Sequence, residues 1–293
     1  MKKLWGEADF YRKINVETSV PWEFSRILLI RNWGETMLHN LANFVFYIEN
    51  TLLKDNELKK DYLEFINKVS LDRCYFFTHN CDISRKSLYR ILKSNGIACH
   101  FDNVLTPAYF LLEYCKSLYN KFTIYPISDT KDWGDFHLHN IKIDYNNPDL
   151  IFISTSHITN DDLKIINGFN VPMVFSSNLC ANRFYNCDMC KNDCCLKYIK
   201  TFYKNRLIIS DPPPLYNSIY LFKKLNIETR DTMVTTDFLR DDYIQFQRSG
   251  CKLILLLRDK LTFENYLKSP YEADIVTDSF ENLSYFLNLK EEV

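Results

Sequence analysis

Five cysteines crowd into one short stretch of this chain: Cys180, Cys187, Cys190, Cys194 and Cys195. A Cys-x2-Cys pair with further thiols close by can wrap four sulfurs around a tetrahedral zinc. Cys187, Cys190 and Cys194 with Cys180 or Cys195 would complete such a set, and an iron–sulfur cluster has the same ligand appetite. A helix presenting buried thiols is the plainer reading, and disulfides are disfavoured in a reducing compartment. A metal held here would rigidify its segment rather than catalyse. A second set of residues stands where apolar runs end. Tyr47 and Glu49 follow Phe44-Val45-Phe46, Thr78 follows Phe76-Phe77, and Asp237 follows Met233 to Thr236, with Asp241-Asp242 close behind. Strands of a parallel sheet present catalytic loops at their carboxyl ends. Glu49 has the chemistry of an acid/base or a metal ligand. Asp237 and Asp242 could face the carboxyl edge of the sheet. Solvated loop carboxylates or a helix N-cap are the bland alternative, which Asp241 fits better. His137 and His139 alternate on an expected strand and could share a face, and His79 could touch a ligand beside Thr78. For all three an ordinary polar or core histidine is the simpler reading.

The elements that must position these residues follow from the pattern. Short apolar runs at 45–48, 74–78, 122–127, 150–154, 173–176, 206–209, 232–235, 253–257 and 273–276 read as buried strands. Helical spacing predicts helices over 57–69, 83–94, 106–118, 161–166, 215–225, 242–248 and 280–287. Leu58, Tyr62, Phe65, Ile66 and Val69 form the apolar stripe of the first, and Asn95-Gly96 suits a helix C-cap. Strands alternating with amphipathic helices predict an α/β fold with a parallel sheet covered on both faces. Residues 1–42, with a strand at 26–31, form an amino-terminal extension with no motif.

Composition removes several classes. The 293 residues are 46% hydrophobic and 25% charged, with a net charge of −1, so bulk charge points to neither nucleic acid nor an anionic membrane surface. No apolar run approaches the ~20 residues that span a bilayer, and the first residues lack the apolar core of a signal peptide. The expected setting is cytoplasmic. Cys74, Cys81, Cys99 and Cys115 are scattered and read as buried thiols. There are only six glycines, fewer than the ~7% of average usage, which fits loops that have lost tight active-site turns.

Two segments carry a family resemblance. The first is Phe76-Phe77-Thr78-His79-Asn80-Cys81-Asp82-Ile83-Ser84-Arg85, followed by a helix, Asn95-Gly96-Ile97 and Val104-Leu105-Thr106-Pro107-Ala108-Tyr109. The second runs from Met233 to Leu287, with Thr236-Asp237, Asp241-Asp242, an apolar strand, Ala273-Asp274-Ile275-Val276 and a final helix. In order and spacing they resemble the haloacid dehalogenase superfamily, in the branch of sugar- and nucleotide-phosphate phosphatases, p-nitrophenylphosphatases and phosphoglycolate phosphatases. The two segments cover about a third of the chain. The resemblance implies a Rossmann-like parallel-sheet core, residues 43–120 and 206–293, with an α/β cap inserted at 121–205. The cysteine run falls in the cap, where the family has a substrate-facing Thr-Asn-Pro-Asp loop, of which Ser177-Asn178 is the remnant.

In that family the first aspartate of Asp-x-Asp-Gly-Thr attacks phosphorus and the second acts as acid and base. A Thr/Ser and a lysine bind the phosphoryl oxygens, and acidic residues help to hold magnesium. Carried onto this chain, the nucleophile position holds Tyr47, the acid/base position Glu49 and the glycine position Asn50. Thr78 is kept, as are Asp237 and Asp242. The lysine motif, usually Gly-Lys-Pro, corresponds to Ser210-Asp211-Pro212, so Asp211 reverses the charge that phosphate needs. Lys223 or Lys224 would substitute only if the fold brought one there. A phenol, with a pKa of roughly 10, is a poor nucleophile at neutral pH, and Glu49 is one methylene longer than aspartate. Three readings follow. One is a phosphatase-like protein without hydrolysis that binds a small phosphorylated ligand or a protein partner. The others are a divergent magnesium-dependent phosphohydrolase, and zinc or iron–sulfur chemistry from the cysteine-rich cap.

Overall fold

A computed structural model describes residues 27–30, 43–48, 52–54, 57–58, 60–78, 80, 83–128, 132–154, 159–175, 203, 207–208, 222–223, 225–237, 246–258, 261–269 and 272–287. The chain divides into two compact units, residues 1–76 with 227–293, and residues 77–226.

In the first unit six strands lie in the spatial order β1 (Ile27–Ile30), β14 (Ile275–Thr277), β13 (Lys252–Leu256), β12 (Thr232–Thr236), β2 (Asn43–Tyr47) and β5 (Cys74–Phe77). The pairs β2 with β12, β12 with β13 and β13 with β14 are parallel. The β1 strand, in the segment read as an extension, joins β14 antiparallel. The central strands are buried along their length, as expected of a sheet covered on both faces. Aromatic packing builds the core: Phe44, Phe46, Phe65, Phe76 and Phe280 are all buried, and Phe65 meets Phe46 edge-on at 6.0 Å between ring centres. Helix α1 (Lys60–Asn67) packs against α7 (Phe280–Phe286) through Tyr62 and Phe65 on the Phe280 ring, at 3.8 and 4.9 Å. An Arg258–Asp61 ion pair closes one side.

The helix expected over 57–69 is shorter. Residues 53–54 and 57–58 form an antiparallel hairpin, β3 and β4 (Leu53–Lys54, Glu57–Leu58), and α1 starts at Lys60. Leu58 therefore belongs to a strand despite its helical spacing from Tyr62. The backbone pairing of Leu53 with Leu58, invisible to periodicity, won over it.

The second unit contains α2 (Arg85–Ser94), β6 (Val104–Leu105), α3 (Pro107–Leu118), α4 (Gly134–Leu138) and α5 (Asn160–Gly168). Its own sheet comprises β7 (Thr123–Ser128), β8 (Lys142–Ile143), β9 (Leu150–Ser154), β10 (Met173–Phe175) and β11 (Leu207–Ile208). All four pairings in this sheet are parallel, and the spatial order is β8-β7-β9-β10-β11. Alternation along β9 sends Leu150 and Phe152 into a core with Ala108, Leu112 and Phe136, and Ile151 and Ile153 into a core with Ile166 and Met173. The sheet is thus covered on both faces, and the α/β class read from the sequence is the observed one.

Local signals explain the helix ends. Ser84 caps α2, accepting from Ser87 N–H, and Asn95 with Gly96 at φ +81° ends it. Thr106 caps α3 with Pro107 in its first turn. Thr159 and Asp162 form a capping box on α5. His137 and His139 are not on a strand. His137 lies in α4 and His139 just beyond it, where residues two apart do not share a face. His137 is exposed, whereas the His139 ring is buried.

Candidate functional site

The residues of interest in the first unit lie at the carboxyl ends of neighbouring parallel strands. Thr232 to Thr235 of β12 pair in register with Asn43 to Phe46 of β2, so Tyr47 ends β2 beside Thr236, and Asp237 follows. Thr235 Oγ1 donates to Val45 O at 3.1 Å and ties the two strands together. Tyr47 is 1% exposed, and its ring meets Phe246 edge-on at 6.1 Å. The ring is packed as a core aromatic. Asp237 is 7% exposed. Beyond Tyr47, the Ile48 carbonyl accepts from Leu52 N–H at 3.1 Å, and both residues are buried, so the chain closes back on itself within five residues.

Thr78 follows β5, which lies beside β2 in the sheet. It is 1% exposed. Its amide donates to Leu105 O at 3.2 Å, and its hydroxyl accepts from Asn80 N–H at 2.9 Å. That hydroxyl is already engaged in a local turn. The structure therefore brings Tyr47 and Asp237 to one edge of one sheet, whereas Thr78 belongs to the second unit. Glu49, Asp211, Asp242 and the cysteines Cys180, Cys187, Cys190, Cys194 and Cys195 lie outside the described residues, as do His79, Asp241 and Lys224.

The magnesium that the resemblance implies needs several hard oxygens in one place. Among the described residues this edge offers one carboxylate, Asp237, and the packed phenol of Tyr47. No group of three His, Cys, Asp or Glu side chains suited to a metal occurs among the described residues. Glu49, Asp241 and Asp242, the other carboxylates near this edge in sequence, lie outside the described residues, and no chemical step is routed through the ion.

Solved structures superpose on nearly their whole length. The 4-nitrophenylphosphatase of Thermotoga maritima matches with a TM-score of 0.70 and 19% identity, covering 85% of this chain and 98% of that one. NagD from E. coli K-12 matches at 0.66 and 16%, covering 82% and 97%. The fold is that of a haloacid dehalogenase-type phosphatase. A p-nitrophenyl phosphatase from Archaeoglobus fulgidus gives the same answer, at 0.66 and 16% identity over 84% and 98% of the two chains. No protein-family model and no curated protein matches the sequence. At such identities the superpositions speak for the phosphatase fold alone.

One polar group escaped the sequence analysis. The buried Asp135 of α4 and the neighbouring Asp132 hold the amino end of α2: Asp135 accepts from Arg85 N–H at 3.0 and 3.2 Å, and Asp132 Oδ2 from Ser84 N–H at 3.0 Å. The signal was available in Asp132-Trp133-Gly134-Asp135, two carboxylates flanking a glycine just past an apolar strand. Its partners lie about 50 residues earlier, which no local pattern announces. Among the described residues no helix is long and apolar enough to cross a membrane.

Proposed function

We propose that this chain is a phosphatase-like pseudoenzyme, a haloacid dehalogenase fold that binds a small phosphorylated ligand or a protein partner without hydrolysing a phosphate ester. The observation that carries this is Tyr47. The seat of the attacking carboxylate holds an aromatic ring that is 1% exposed and packed on Phe246. A nucleophile must be presented to its substrate and activated by a neighbouring base, and a ring built into the core is neither. Asp237 survives beside it, which favours a retained ligand-binding edge. In this reading residues 43–120 and 206–293 serve as core and 121–205 as cap, in a reducing cytoplasm. Four free thiols, Cys74, Cys99, Cys115 and Cys251, are buried, in keeping with such a compartment.

The test is direct. Purified protein with p-nitrophenyl phosphate and magnesium is expected to release no nitrophenol above the buffer rate. Sustained turnover that Asp237→Ala abolishes would overturn the proposal in favour of a divergent magnesium-dependent phosphohydrolase.

A further inference from the structure

We draw no further inference here: the strongest candidate, the side-chain cluster of Glu113, Lys116 and His139 where α3 meets the end of α4 in the second unit, carries only the pH response of one histidine, and nothing among the described residues shows a ligand or a moving element that it serves.

Discussion

A single side chain sets the functional reading, and its burial makes a quantitative demand. Tyr47→Asp installs the aspartate of the motif that the sequence resembles, but places a carboxylate in a seat that is 1% exposed and walled by Phe246. It should cost roughly 2–4 kcal/mol in urea unfolding and restore no phosphatase activity, because the chemistry needs more than one group. A second residue governs the pH response. The His139 Nδ1 lies 2.9 Å from Glu113 Oε1, and the ring stacks on Tyr109 at 5.4 Å. Burial first, then Lys116, nevertheless hold its pKa down to about 4 from 6.5. The unfolded chain then takes up a proton that the folded chain refuses. Stability is therefore unaffected by this group above about pH 6.5, falls as the pH drops toward 4, and levels off below that, by roughly 2–3 kcal/mol in all. Denaturant titrations at pH 7, 5.5 and 4 should show a slope that His139→Leu removes.

At the scale of elements, the contact between α4 and the start of α2 is close enough to be measured as a coupling. A Cβ at Gly134 would stand 2.8 Å from Ser84 Oγ. Gly134→Ala should cost about 1–3 kcal/mol, and Ser84→Ala about 1 kcal/mol through loss of the α2 cap. The double variant should cost less than the sum, because removing the hydroxyl removes the closest of the contacts, leaving Ser84 Cβ at 3.1 Å and Asp132 Oδ1 at 3.2 Å. A double-mutant cycle in urea that proved additive would show that the backbone shifts to avoid the contact. Much of this level was legible in the sequence. The strand at Leu150–Ser154 and the Asn95-Gly96 cap followed from local chemistry, since alternation, propensity and turn residues act over a few positions. The hairpin ahead of α1 was not legible, and neither was α4, because a cross-strand pair and a five-residue helix leave too short a period to read. At the candidate site, the placement of Tyr47 and Asp237 on neighbouring strand ends was legible through motif order. The docking of Asp132 and Asp135 onto Ser84 and Arg85 was not, because it joins positions about 50 residues apart.

For the whole molecule, thiol chemistry separates the structured interior from the cysteine run. Burial pushes Cys74, Cys115 and Cys251 up to about 12 and raises Cys99 as well. Since the thiolate is the reactive form, these four should stay silent toward an aromatic disulfide reagent in the native protein. Of the ten cysteines, at most six should then react before denaturation and all ten after it. Zinc held by Cys180, Cys187, Cys190, Cys194 or Cys195 would lower the native count further until a chelator is added. More than six fast thiols without denaturant would contradict the burial of these four.

The antiparallel pairing of β1 with β14 bears on any attempt to trim the protein. Deleting residues 1–42 as a dispensable leader would strip Ile27–Ile30 from the sheet and leave the backbone donors and acceptors of Ile275–Thr277 open. An uncovered strand of that kind recruits another chain. The shortened protein should elute as larger species than the full-length chain does, and sparing the segment from Ile27 onward should prevent it.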